Sequence, residues 1–70
     1  MEIEVTINGQ KEKLADTATV ADILMSKDVR PEIVAVEING ELIQKSEYAN
    51  LTLVGGDKME FLRYMAGGRV

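Results

Sequence analysis

Residues 33–43 read Ile33-Val34-Ala35-Val36-Glu37-Ile38-Asn39-Gly40-Glu41-Leu42-Ile43, and this stretch decides the fold. Ile33 to Ile38 is a β-branched run, the most strand-like in the chain. Asn39-Gly40 marks a hairpin turn, because both turn positions tolerate positive φ, and Glu41-Leu42-Ile43 returns as a short strand. Toward the N-terminus, Pro31 stops any helix by Arg30 at the latest. Ahead of it, Thr19-Val20-Ala21-Asp22 has the form of a capping box, with Asp in place of the longer Glu or Gln. Val20, Ile23, Leu24 and Lys27 fall at helical spacing, so a helix of about ten residues is expected, short enough to need docking on something to persist. Further back, Ile3, Val5 and Ile7 alternate with Glu2, Glu4 and Thr6, as in a half-buried strand. Asn8-Gly9 is a second hairpin signal, and Gln10 to Leu14 is a lysine-rich return strand suited to a sheet edge.

Toward the C-terminus, Lys45 to Asn50 is polar and is expected to carry a turn or a single helical turn. Leu51 to Val54 adds apolar material, Gly55-Gly56-Asp57-Lys58 reads as a tight turn, and Met59 to Tyr64 as the last strand. Met65-Ala66-Gly67-Gly68-Arg69-Val70 has no pattern and is expected to form a flexible tail. The fold class is therefore α+β: a mixed sheet of four to five strands with one helix packed across one face. That is the β-grasp arrangement. Residues 1–66 are expected to form the domain and residues 67–70 the tail.

Composition restricts the chemistry. Seventy residues make one domain, and with no cysteine and no histidine a disulfide is excluded and a zinc staple disfavoured. The core must stand on packing alone. There is also no thiol nucleophile, no imidazole base and no Ser-His pair. Eight Lys+Arg against twelve Asp+Glu give a net charge of −4, which disfavours nucleic acid and anionic membrane surfaces and suits a basic protein partner. Met1 to Val5 lacks the features of a signal peptide, and no apolar run approaches the roughly 20 residues that span a bilayer. A cytoplasmic monomer is expected. Met25, Met59 and Met65 are assigned to packing. Gly55-Gly56-Asp57 is too short to cradle phosphate, and the acidic residues lack calcium-loop spacing, so no metal site is expected.

From Val34 onward the chain resembles the ThiS-type sulfur carriers, relatives of MoaD and ubiquitin. The matching stretches are Val34 to Ile43, Ser46-Glu47-Tyr48, Gly56-Asp57-Lys58-Met59-Glu60-Phe61 and Ala66-Gly67-Gly68, with Ile7-Asn8-Gly9-Gln10 and Thr19-Val20 also fitting. The order and spacing of these pieces carry the resemblance; none is specific alone. It implies a ubiquitin-like fold and a carrier rather than an enzyme. In such carriers a ThiF/MoeB-like adenylating enzyme uses ATP to activate the C-terminal glycine carboxylate. Sulfur then displaces AMP, and the thiocarboxylate goes to a sulfur-accepting synthase. By resemblance Gly68 is the reacting residue, with Gly67 and Ala66 as spacer; the carrier holds no cofactor of its own. Two glycines without Cβ suit close backbone approach in a narrow ATP site.

Arg69 and Val70 depart from the simplest family members, which end at the second glycine. With them attached, the Gly68 carbonyl is an amide, which adenylation cannot use. Related carriers lose such an extension to a metalloprotease and serve sulfur amino acid or metabolite synthesis, which sets that destination beside thiamine thiazole supply. A molybdopterin synthase small subunit and a β-grasp interaction module without sulfur transfer are the alternatives.

Strand parity supplies a candidate partner face. If Val5, Val36 and Phe61 face the helix, then Glu2, Glu4, Glu37 and Glu60 gather on the open face around Leu62 and Tyr64. Adjacency of the first, third and last strands would make these residues contiguous. Facing like charges cost stability, so a basic rim on the activating enzyme is the expected complement, with Leu62 and Tyr64 as central anchors.

Overall fold

In the computed structural model, residues 1–63 are described. The tail, the domain boundary at Ala66 and the assignments to Tyr64 and Met65 lie outside them. The elements are β1 (Glu2–Ile7), β2 (Gln10–Ala15), α1 (Val20–Ser26), β3 (Val34–Ile38), β4 (Glu41–Ile43) and β5 (Lys58–Arg63), with single 3-10 turns at Pro31–Ile33 and Lys45–Glu47. The sheet order is β2-β1-β5-β3-β4, with β1 and β5 parallel and the other pairs antiparallel. It is a five-stranded mixed sheet with one helix, the β-grasp expected from the sequence. No helix among the described residues is long and apolar enough to cross a membrane.

Both hairpins turn where expected. Asn8 and Asn39 have φ of 52° and 55°, and the glycine after each has φ of 85°, so glycine is required at both sites. The alternation in β1, β3 and β5 sends Val5, Ile7, Val34, Val36, Ile38 and Met59 inward, where Val20, Ile23 and Leu24 of α1 meet them. Tyr48 and Leu53 complete the core. The 45–54 stretch also satisfies the helix start. Val20 N–H donates to the Leu51 carbonyl at 2.9 Å and Ala21 N–H to the Tyr48 carbonyl at 2.8 Å. Thr19 and Asp22 close the expected capping box at 3.1 and 3.0 Å. All the leading N–H groups of α1 therefore have partners, which a seven-residue helix needs in order to hold. Lys27 ties the other end to the sheet through a half-buried ion pair with Glu12 of β2 at 2.7 Å.

Three expectations are corrected. The helix stops at Ser26, well short of Pro31, because Asp28 takes φ of 61°. The Val29 N–H then reaches the Leu24 carbonyl at 2.9 Å and the Asp28 N–H the Met25 carbonyl at 3.1 Å, a Schellman ending with aspartate where glycine is usual. Ile33 belongs to the 3-10 turn that Pro31 initiates, so β3 begins at Val34. Met25 is 74% exposed and packs little, whereas Met59 is fully buried. Asp28→Gly is expected to stabilise the chain by about 0.5–1 kcal/mol through relief of the left-handed backbone. A thermal melt would then rise by roughly 2–8 °C.

Candidate functional site

Among the described residues no element packs over the sheet face opposite α1, and the register fixes which side chains share it. Across β4, β3 and β5 runs a row of Leu42, Glu37 and Glu60, paired as Glu37↔Leu42 and Glu37↔Glu60. The next row toward the end of β5 holds Ala35 and Leu62. On the other side, Lys11, Thr6 and Lys58 form a row across β2, β1 and β5, followed by Lys13 opposite Glu4 and Ala15 opposite Glu2. Leu42 is 68% exposed and Leu62 47% exposed.

The parity reading is thus right for orientation: Glu2, Glu4, Glu37, Glu60 and Leu62 all face away from the helix. Contiguity of the four glutamates is corrected. Because β1 and β5 are parallel and pair only at Thr6↔Lys58 and Ile7↔Met59, their far halves point apart. Glu2 lies four residues before that contact and Leu62 four after it, so they stand roughly 26 Å apart along the strands. Between them is the row containing Lys11 and Lys58. Only Glu37 and Glu60 face each other directly, and neither carboxylate makes a hydrogen bond or ion pair among the described residues. Beside them a shallow cleft of about 250 Å³ is lined by Glu37, Asn39, Gly40, Lys58 and Glu60. Tyr64, Ala66, Gly67, Gly68, Arg69 and Val70 lie outside the described residues.

The lysines on this face were readable from the same parity, since Lys11 and Lys13 alternate with the inward Glu12 and Leu14. No local signal marks the role of the two turn asparagines. Asn8 N–H donates to the Met59 carbonyl at 2.9 Å, and its side-chain Oδ1 accepts from Phe61 N–H at 2.9 Å, prolonging β1 beside β5. Asn39 Oδ1 accepts from Lys58 N–H at 3.0 Å, and its Nδ2 donates to Asp57 Oδ1 at 2.9 Å. The other Asp57 oxygen accepts from Val54 N–H at 2.9 Å. The first half of β5 is therefore held from both sides. This strand precedes the glycine-containing segment in sequence, and its root is held by side-chain bonds from both hairpin turns.

Among the described residues there is no group of three or more His, Cys, Asp or Glu side chains placed to hold a metal ion. The fold, with one helix on one face of a five-stranded mixed sheet and a last strand rooted by both turn asparagines, is that of a small β-grasp domain. A match to the ThiS family covers residues 2–68, and the chain belongs to that family. It is 36% identical over 63 residues to the sulfur carrier protein ThiS of Bacillus subtilis (strain 168), covering 89% of this chain and 96% of that protein. The crystal structure of a thiamine biosynthesis protein (ThiS) from Geobacter metallireducens superposes with a TM-score of 0.80 at 33% identity, covering 94% of this chain and 100% of that one. A thiazole synthase of Paramagnetospirillum magneticum (strain ATCC 700264 / AMB-1) is 35% identical over 66 residues. That match takes in 94% of this chain, which spans only a fifth, 20%, of the synthase's length.

Proposed function

We propose that this chain carries sulfur as a thiocarboxylate on Gly68. The observation that supports it best is the family match, which runs through Gly67 to Gly68. A carboxylate is a poor electrophile until one oxygen joins a good leaving group. Attack of the Gly68 carboxylate on the α-phosphorus of ATP, in the active site of an adenylating partner, releases pyrophosphate and leaves an acyl-adenylate. A sulfur nucleophile then adds at the acyl carbon and expels AMP. Gly68 lies five residues beyond Arg63, so covalent geometry lets its carboxyl reach at most about 17 Å from the end of β5. That suffices to enter an enclosed site while the domain stays outside. ATP belongs to the partner, and the carrier needs no cofactor, metal or catalytic side chain.

Arg69 and Val70 must leave before activation, since Gly68 is otherwise an amide. Removal by a metalloprotease accounts for them. The likeness to part of a thiazole synthase favours thiamine thiazole supply, and the presence of residues after Gly68 favours sulfur amino acid synthesis. Intact mass of the untagged protein from its own cells tests the reading. A species ending at Gly68 with one carboxyl oxygen replaced by sulfur supports it. Retention of Arg69-Val70 by every molecule under sulfur-demanding growth removes it in favour of an interaction module.

The open face is the proposed docking surface, with Glu37, Glu60 and Leu62 at its centre and Glu2 and Glu4 at its far edge; Tyr64, next but one to Leu62 in sequence, is proposed as a further anchor. A basic patch on the adenylating enzyme complements the unpaired glutamates. Glu60→Lys is expected to slow capture by that enzyme roughly tenfold at low salt, an effect that shrinks as salt rises. The same change sets a lysine opposite Glu37 and should raise stability by about 0.2–1 kcal/mol. Stopped-flow association and a denaturant titration read the two effects separately. Unchanged association at low salt removes the docking assignment.

A further inference from the structure

Asn8-Gly9 and Asn39-Gly40 carry a slow reaction of their own. The glycine amide nitrogen attacks the asparagine side-chain carbonyl carbon, forming an N–Cγ bond as the Cγ–Nδ2 bond breaks and ammonia leaves. Water then opens the cyclic imide at either carbonyl, giving aspartate or an isoaspartate whose backbone runs through the side chain. Water is the only co-reactant, and no electrons change hands. Glycine favours the attack because no Cβ crowds the nitrogen. Both asparagines are exposed, and no hydrogen bond among the described residues engages the Gly9 or Gly40 amide nitrogen.

The two sites differ in how the side-chain amide is held. Asn39 uses both atoms, Nδ2 to Asp57 Oδ1 at 2.9 Å and Oδ1 from Lys58 N–H at 3.0 Å. Asn8 uses only Oδ1, which accepts from Phe61 N–H at 2.9 Å. Its Nδ2, the leaving group, has no partner among the described residues. Ring closure requires the turn to open locally, and the turn with fewer side-chain bonds opens more often. We infer that Asn8 is a self-modification site of the folded carrier, converting to aspartyl and isoaspartyl forms ahead of Asn39.

The consequences differ as well. An aspartate at position 8 keeps an oxygen for Phe61 N–H and adds negative charge level with Glu60, beside the Glu37–Glu60 pair. The isoaspartyl product adds a backbone atom to a two-residue turn whose length sets the β1–β2 register. At position 39 the new carboxylate would replace a donor and confront Asp57, loosening the root of β5.

The full chain, kept folded at physiological temperature and mildly alkaline pH, is sampled over weeks by peptide mass mapping. The same chain in denaturant, where the two pairs are equivalent, is the reference. Asn8 is expected to convert roughly fivefold faster than Asn39 in the folded sample, the factor one additional hydrogen bond gives to closing. Asp57→Ala should bring Asn39 up to the rate of Asn8. Should that variant not fold, hydrogen exchange of the unmodified chain serves instead, with the Asn8 amide, bonded to the Met59 carbonyl, exchanging faster than the Asn39 amide, bonded to the Lys58 carbonyl. Equal rates in the folded chain, Asn39 leading, or conversion only in denaturant would each overturn the inference.

Discussion

A chain cut back to end at Ala66 is expected to yield no acyl-adenylate and no thiocarboxylate with an adenylating partner, ATP and a sulfur source, while a chain ending at Gly68 yields both. Cutting back leaves a carboxylate on Ala66 that falls two residues, at most about 7 Å, short of the reach of Gly68, so it cannot meet the α-phosphorus in an enclosed site and product falls to background. The chain ending at Val70 should be equally silent until Arg69 and Val70 are removed, because an amide offers no carboxylate oxygen to the α-phosphorus. In the chain ending at Gly68, Gly68→Ala puts a Cβ next to the reacting carbon. Displacement of that carbon by about an ångström costs on the order of a hundredfold in turnover. Pyrophosphate exchange and intact mass read these steps directly. All the shortened chains should melt together, since the buried core of the described residues lies between Val5 and Met59. Adenylation of the chain ending at Ala66 would remove the sulfur-carrier reading, and so would a pathway that functions without Gly67 and Gly68.

Met59→Ala is expected to unfold most of the population at room temperature. Met59 is fully buried at the middle of the sheet, paired with Ile7 of β1 on one side and Ile38 of β3 on the other. Truncating a buried methionine to alanine costs about 2–5 kcal/mol in transfer and cavity terms. A chain of this size with no disulfide or metal rarely holds more than about 3–5 kcal/mol in total. The loss therefore matches the whole stability, and carriage fails for want of a fold. Met25→Ala is the contrast: at 74% exposure it should stay within about 0.5 kcal/mol of the parent. Urea titrations of the two variants separate these outcomes. A Met59→Ala midpoint close to the parent's would show that the core does not close around β5 as described.

Much of the fold was legible because it is decided within a few residues. Asn-Gly pairs demand positive φ wherever they occur, and the two hairpins turn at those pairs. Thr19 and Asp22 are close enough in sequence to cap one helix end without help. Alternation assigned the two faces of β1, β3 and β5 correctly, since it depends only on the pleat. The helix end was not legible. Pro31 is a strong stop, yet Asp28 turns the chain earlier so that Val29 can pack against the core.

What the sequence alone determined is therefore the kind of element at each position, the turns between them, the lack of cysteine and histidine, and the order of motifs that marks the ThiS family. Tertiary structure alone decided which charges meet. Glu37 and Glu60 oppose each other across a pairing 23 residues apart in sequence (60 − 37), while Glu2 and Glu4 are carried away from Leu62 by the short parallel contact of β1 with β5. It also decided that Asn8 and Asn39, turn residues by their local chemistry, hold the last strand with their side chains. The physical reason is one of range. Turn geometry and alternation are local energies written into neighbouring residues, whereas register between distant strands is set by how the whole core packs and by the lengths of the loops that join it.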